Sequence, residues 1–347
     1  MHRYAVLGNP GHSRVYFQAS QKMSVAELAI AGAKLSAACR NIQAESIGGV
    51  RYITFETAEE LAAGDIQMLS RLSFAYALFE IIRVDGREMF LPVAKSDNYY
   101  MDLSFSSILK YTGKTNEIFT RMMINVGAMS LEGGGENIIL LDPVAGKGTT
   151  LYEALICGYH AYGIEIGEKV VGESYHYVKK YLETEKYKHT AQKERVSGPN
   201  KSFTATRYSF DIARTKEEAR DKKTKRLELV AGNSQYADKY FKKNFFDLVV
   251  GDLPYGVQHG NVTAEKQSSL TRNPKELLTT CLPGWHAVLK PKGVVVLAWN
   301  TFVLSREEMV YLLREKGFHI LEGDGYLDFE HSVDRSIKRD IIVVKKM

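Results

Sequence analysis

Cysteine is scarce in this chain: Cys39, Cys157 and Cys281 are the three among 347 residues, odd in number and widely separated. That excludes a disulfide-stapled scaffold, and the absence of metal-ligand spacing gives no reason to expect a metal. A reduced, cytoplasmic protein is the expectation. Long apolar runs are missing as well. No stretch approaches the roughly 20 residues that cross a bilayer. The start, Met1-His-Arg-Tyr-Ala-Val-Leu-Gly-Asn-Pro10, lacks the apolar segment of a signal peptide. Nor is there much excess charge: 46 Lys and Arg against 41 Asp and Glu leave a formal +5. So small an excess argues for no polyanionic partner by itself, and the location of the basic residues matters more than their number. No repeat or low-complexity tract stands out.

What remains is ordinary globular usage, 45% hydrophobic and 25% charged, over a length that favours two domains. Residues 1–95 read as a small α+β unit. Tyr4–Leu7 and Val15–Phe17 look like strands around a Gly-Asn-Pro-Gly turn, and Val25–Ala38 like a helix capped by Ser24. Val50–Phe55 reads as a strand, Ala58–Ser73 as a helix and Phe74–Val84 as extended. Residues 96–132 read as a linker and then a helix over Asn116–Met129, with Ile118, Phe119, Met122, Met123 and Val126 on one face.

From Gly133 to the last residue, 347, strands alternate with helices, the pattern of a doubly wound α/β sheet. Seven strands are expected: Ile138–Leu141, Ala161–Ile164, Leu227–Val230, Asp247–Gly251, Val294–Ala298, Phe318–Leu321 and Asp340–Val344. The last two should pair antiparallel at one edge. An insert at 183–226 interrupts the alternation, with about a dozen Lys and Arg against about half as many acids. Such a segment either grips phosphates or is a solvated, mobile loop.

Asp142-Pro-Val-Ala-Gly-Lys-Gly-Thr-Thr150 lies between an apolar strand and an amphipathic helix. Its glycines allow close backbone approach to a ligand, and a helix N-terminus stands behind it. A phosphate-binding P-loop would need Gly at 141 and Ser or Thr at 148, where the chain has Leu141 and Gly148. A dinucleotide loop fits in part, since its third glycine position is Leu151. Polar groups recur at the next strand ends. Glu165, followed by Ile166, is placed for ribose hydroxyls, and Asn233 and Ser234 for an adenine edge. This order favours S-adenosylmethionine, held by Asp142, Pro143, Val144, Ala145, Gly146, Gly148, Glu165, Ile166, Asn233 and Ser234. Lys147 reads as a solvated loop residue or a neighbour of the methionine carboxylate.

The strand Phe246–Gly251 runs into Asp252-Leu-Pro-Tyr-Gly256. A carboxylate, a backbone carbonyl and an aromatic ring together suit methylation of an exocyclic base amine. The lone pair of such an amine is delocalised into the ring. Acceptors on its two N–H bonds, the Asp252 side chain and a carbonyl at Leu253 or Pro254, favour a pyramidal nitrogen and stabilise the charge it develops. Tyr255 would stack on the base. A plain Pro-Tyr-Gly turn at a strand end is the alternative.

At these residues the chain resembles the RNA methylase family that includes the THUMP-containing tRNA guanosine-N2 methyltransferases. Their cofactor loop D-P-x-C-G-S-G-T corresponds to Asp142–Thr149, and their acceptor loop D/N-P-P-Y-G to Asp252–Gly256. Phe119-Thr-Arg-Met-Met-Ile-Asn-Val-Gly127 resembles the helix before the cofactor strand. Residues around Gly48-Gly49-Val50 and Arg71–Phe74 resemble the family's N-terminal ferredoxin-like domain. Ala145 and Lys147 stand in place of Cys and Ser, and Leu253 in place of the first Pro. Little room is left for a complete THUMP domain. The resemblance implies a class I Rossmann-like methyltransferase domain acting on guanosine N2 in tRNA. Adenine-N6 methylation of rRNA or DNA, or a catalytically silent nucleic-acid-binding module, are the alternatives. Lys222, Lys223, Lys225 and Arg226 of the insert, with Arg335 and Lys338 in the polar segment Glu330–Lys338, are the candidate RNA contacts. His259 is a further candidate beside the acceptor loop.

Overall fold

The computed structural model describes residues 1–9, 14–96, 99–108, 114–133, 137–255, 273–323 and 325–347. Side chains are described from residue 20 onward in the first helix. Gly256 and His259 lie outside these residues. The chain divides into two units, Met1–Asn98 with Glu322–Ile341, and Tyr99–Leu321 with Ile342–Met347.

The first unit contains β1 (His2–Gly8), α1 (Arg14–Gly32), β2 (Cys39–Ile47), β3 (Val50–Thr57), α2 (Ala63–Ser70), β4 (Ala75–Val84) and β5 (Arg87–Val93). Its five-stranded sheet has the order β2-β3-β1-β4-β5, antiparallel throughout. Tyr4 and Val6 of β1 and Phe55 of β3 are buried with Leu28 and Ile30 of α1. Glu27, fully buried on α1, accepts hydrogen bonds from the Ser73 amide (2.9 Å) and hydroxyl (2.5 Å). Two expectations fail here. Val15–Phe17 is not a strand, because α1 begins at Arg14, and Ser24 is therefore mid-helix and buried rather than a cap. The β-branched and aromatic run Val-Tyr-Phe favours a strand locally, and the longer helix overrides it.

The second unit begins with α3 (Ser104–Ser107) and α4 (Glu117–Ser130). There follow β6 (Ile139–Asp142), α5 (Thr149–Ile156), β7 (His160–Glu165), α6 (Glu168–Thr184), β8 (Lys188–Ser197), β9 (Thr204–Ala213), α7 (Lys216–Arg220) and β10 (Lys225–Ala231). Then come α8 (Ala237–Tyr240), β11 (Phe246–Asp252), α9 (Pro274–Val288), β12 (Leu289–Asn300), α10 (Arg306–Glu315) and β13 (Phe318–Ile320). β14 (His331–Ser332) lies in the segment that belongs to the first unit, and β15 (Lys338–Lys346) runs from that segment into the second. Caps fix several starts: the Asn116 side chain accepts from the Ile118 and Phe119 amides, and Ser305 and Glu308 form a capping box on α10.

The large sheet has the order β13-β15-β12-β11-β6-β7-β10-β9-β8, with β14 paired to β15. The run β12-β11-β6-β7-β10 is parallel, and β13 lies antiparallel to β15. The fold is α/β with a mixed sheet. All seven expected strands are present, yet the sheet is larger, with ten strands among the described residues. Of the three additional strands, β14 is a two-residue strand on β15, and β8 and β9 come from the insert. Residues 183–226 are not a loop: β8 and β9 form an antiparallel hairpin in register from Lys188↔Ala213 to Ser197↔Thr204, and β9 adds to β10. β9 buries Tyr208, Phe210 and Ile212, while β8 is a charged, mostly exposed edge, which discourages pairing with other chains.

Strand order reverses beside β6, where β7 leads to one side and β11 to the other. In open α/β sheets the ligand crevice forms at the carboxyl ends next to such a reversal. Around it, α4 is held by a buried ion pair, Arg121 Nε to Glu153 of α5 at 2.8 Å, with the Ser106 hydroxyl on the same carboxylate at 2.5 Å. Gly127 of α4 makes close packing possible, since a Cβ there would lie 2.5 Å from Leu248 and 2.9 Å from Val296.

Candidate active site

β6 is buried along most of its length and delivers Asp142, 3% exposed, to the carboxyl end of the sheet. The chain then turns through Pro143–Gly148. The Val144 amide donates to Asp142 Oδ1 at 3.0 Å, and the Ala145 amide to the Ile164 carbonyl at 2.9 Å. Gly146 (φ +51°) and Gly148 (φ +92°) take left-handed conformations, and Gly148 caps α5. Close approach of this loop to β7 depends on Gly163, where a Cβ would meet Ala145 Cβ at 2.9 Å and Leu151 at 2.8 Å.

Glu165 ends β7, and its carboxylate accepts from two backbone amides, Gly146 at 3.1 Å and Gly167 at 2.8 Å. These bonds lock the loop to the carboxylate and leave it an acceptor-only group at the rim. Ile166 beside it is 45% exposed. After β10, Asn233 Oδ1 accepts from the Gln235 amide at 3.0 Å. Ser234 is buried, and its hydroxyl is committed on both sides. It donates to the Pro143 carbonyl at 2.7 Å and accepts from Trp285 Nε1 at 3.0 Å. The Ser234 side chain therefore joins β10, the loop after β6 and α9, so it has no donor left for an adenine.

Asp252 ends β11. Its Oδ2 accepts from the Thr115 hydroxyl at 2.6 Å, and its Oδ1 accepts from the Tyr255 hydroxyl. Leu253 is fully buried, with its amide on the Ala298 carbonyl at 2.9 Å. Asn300, at the end of β12, reaches the Tyr255 carbonyl at 3.5 Å. Tyr255 is thus attached to the carboxylate it follows, an arrangement that sequence reasoning did not supply.

Pro143, Val144, Glu165, Ile166, Asn233, Ser234, Asp252 and Pro254 line one pocket of about 280 Å³, together with Ile164 and Leu277. Residues from three strand ends and from the acceptor loop are therefore gathered in one place. The pocket is electronegative. Burial pushes the Asp142 carboxyl up to about 7, against hydrogen bonds from Thr150 and the Val144 amide, and the charges of Asp252 and Glu165 raise it further. Lys147 does not offset this, since its ammonium sits 2.7 Å from Glu173 of α6.

Other expected contacts lie elsewhere. Lys222, Lys223, Lys225 and Arg226 occupy the turn into β10 and its first residues, at the amino ends of the parallel strands, opposite the pocket. Arg226 pairs there with Asp211 (2.9 Å) and Glu228 (3.1 Å), and Lys225 donates to Asn137 at 3.0 Å. β10 runs toward the pocket, so this basic run is left at the start of the strand. Arg335 and Lys338 belong to the first unit, where Lys338 pairs with Glu330 at 2.6 Å. Thr115 and Trp285 were missed. Thr115 directly precedes the α4 cap, but its partner is 137 residues away, and no local pattern reports such a pairing.

The chain matches no protein-family model and no curated protein. Among solved structures it is similar to TrmN from Thermus thermophilus, with 11% identity, 100% of each chain covered and a TM-score of 0.44. It is also similar to an rRNA methylase from Streptococcus thermophilus, with 12% identity, 67% of this chain and 98% of that one covered, and a TM-score of 0.35. The magnesium protoporphyrin IX methyltransferase ChlM from Synechocystis, solved with bound SAM, shows 15% identity over 68% of this chain and 87% of that one, with a TM-score of 0.36. Likeness at this level assigns neither substrate nor chemistry to this chain.

Proposed function

We propose that the second unit is a class I S-adenosylmethionine-dependent methyltransferase that modifies an exocyclic base amine in RNA, with guanosine N2 of tRNA as the substrate. The observation that carries this reading is the set of carboxylates at neighbouring strand ends: Glu165 and Asp252 line the pocket, Asp142 is buried on the strand between theirs, and their charges raise the Asp142 carboxyl. An electronegative pocket repels a pyrophosphate and favours a cationic ligand, which separates a sulfonium cofactor from a dinucleotide. Numbered in chain order, the seven core strands follow 3-2-1-4-5-7-6, an order consistent with the same reading. In the first unit, β1 lies between β3 and β4, and two helices cross between strands, which supports a ferredoxin-like domain.

In this reading the backbone from Pro143 to Gly148 lies along the methionine portion. Glu165 accepts the ribose hydroxyls, Ile166 covers the adenine, and Asn233 offers its amide NH₂ to it. Ser234 contributes through its backbone and by holding Pro143. The cofactor, when bound, supplies an electrophilic methyl group. Asp252 accepts one amine hydrogen and a carbonyl at Leu253 or Pro254 the other. Thr115 and Tyr255 leave each carboxylate oxygen a further lone pair for that task. Tyr255 both orients Asp252 and presents its ring to the base. Incubation with labelled S-adenosylmethionine and total tRNA, followed by nucleoside analysis, tests the proposal. Label in N2-methylguanosine is the expected result. Label in N6-methyladenosine overturns the base assignment, and cofactor binding with no transfer to RNA or DNA overturns the enzyme.

A further inference from the structure

The hairpin β8–β9 adds a second concave surface to the same end of the sheet. A cleft of about 530 Å³ is lined by Lys193 and Arg195 of β8, Thr204 and Thr206 of β9, Ala231 of β10 and Glu168 of α6. Cross-strand register puts Arg195 opposite Thr206, Thr206 opposite Ala231, and Ala231 opposite Glu165. Arg195 is therefore in one row with the carboxylate at the rim of the active-site pocket, three strand spacings or about 14 Å away. Among the described residues neither Lys193 nor Arg195 enters an ion pair. Lys193 instead lies 5.1 Å over the Tyr208 ring, and Glu168 accepts from the Thr206 hydroxyl at 3.3 Å. The neighbouring Glu194 is directed to the opposite face, 3.6 Å from Arg207.

We propose that this cleft binds the phosphodiester backbone of the RNA several nucleotides from the base that enters the pocket, an inference that rests on the RNA reading above. Two cations and two hydroxyls on adjacent strands are the donor set that phosphate oxygens require, and a single acid beside them limits the cleft to a strand that passes through it. Distance selects a polymer. β11, which carries Asp252, and β8 are five strand positions apart, about 24 Å. At about 3.4 Å per nucleotide that distance corresponds to roughly seven residues of one strand. A mononucleotide bound at Asp252 does not reach the cleft, whereas an oligonucleotide does.

The test measures binding of fluorescein-labelled oligouridylate, a 20-mer and a 4-mer, to the full chain across a salt series. Both positions are exposed, so the double variant K193A/R195A retains the fold, and its thermal melt checks this. Loss of two phosphate contacts should weaken 20-mer binding about tenfold near 0.1 M salt and make the log–log salt slope shallower by about 1.4. The 4-mer, which cannot occupy pocket and cleft together, should bind the wild type more weakly than the 20-mer. K222A/K223A, at the opposite end of β10, should match the wild type, and the charge-conserving K193R/R195K should restore the slope. Equal affinity and slope for K193A/R195A and wild type overturns the cleft while leaving the RNA reading intact. Failure of the wild type to bind the 20-mer or total tRNA overturns both.

Discussion

If Asp142 is half protonated near neutral pH, binding of a cation beside it must release protons. Burial holds this carboxyl at about 7 in the free protein. S-adenosylmethionine carries one more positive charge than S-adenosylhomocysteine. A unit charge about 7 Å away, at an effective dielectric of about 20, contributes roughly 2.4 kcal/mol, near 1.7 pKa units. Asp142 would then fall from about half protonated to a few per cent at pH 7, with release of about half a proton. Calorimetric titrations in two buffers of different ionisation enthalpy measure that number directly. S-adenosylmethionine should release about half a proton more than S-adenosylhomocysteine, and the difference should vanish in Asp142→Asn. Its affinity should accordingly rise as pH increases through 7. Stability follows the opposite course. The unfolded carboxyl loses its proton near pH 4, and the folded one keeps it until about 7, so the folded state binds more protons within that window. The Asp142 contribution is full below about pH 4, falls by roughly 4 kcal/mol as pH rises to 7, and is flat above. The wild-type melt compared with that of Asp142→Asn isolates this slope. Equal proton release for the two cofactor forms, or full release in the Asn variant, would refute the assignment of this pocket to a sulfonium.

Asp252→Ala should lower methyl transfer by at least two to three orders of magnitude, the usual cost of removing a transition-state acceptor, while cofactor affinity falls far less, through the loss of one charge from the pocket. A loss of affinity in equilibrium dialysis as large as the loss of transfer would make Asp252 a cofactor ligand rather than an acceptor for the amine. Thr115→Val removes a hydrogen bond to a charged group, worth roughly 1.5–3 kcal/mol. It should reduce kcat tenfold or more with little change in KM, and Thr115→Ser should recover most of the loss. If the two variants are equally impaired, the hydroxyl is not what positions Asp252. Gly127→Ala should destabilise the protein by roughly 1–3 kcal/mol in urea melts, because the added methyl meets Leu248 and Val296. Helix propensity alone predicts a gain of about 1 kcal/mol, so the sign of the change discriminates between the two effects.

The strand ends were legible because the chemistry there is written in short consecutive runs. Asp142–Thr150 combines a buried strand with glycines in left-handed conformations, and Asp252–Tyr255 a buried strand with a carboxylate, a proline and an aromatic in consecutive positions, so local spacing alone locates them. Glu165 and Asn233 could be placed for the same reason, as the first polar residues after an apolar strand. Ser234 stood in the same pattern, yet its hydroxyl is consumed by Pro143 and Trp285, and Trp285 is 51 residues away. Sequence position identifies what reaches the crevice. It does not report which groups have already found partners.

The insert shows the same limit from the other side. Its cations were visible as a count, and the densest run, Lys222–Arg226, drew the RNA assignment. Position on the hairpin reverses the ranking. β10 runs toward the pocket, so the dense run begins it at the far end, where Asp211 and Glu228 take up Arg226. β8 runs parallel to β10, since each is antiparallel to β9, and so it carries the sparser pair Lys193 and Arg195 forward to the level of Glu165. The alternation that would have revealed β8 is weak because both faces of an exposed edge strand are polar, and without β8 there is no register to follow. Charge density therefore pointed to the end of the insert that lies away from the pocket. Strand direction, which follows from how β9 pairs on both sides, is the property that decides which cations can accompany a substrate into the site.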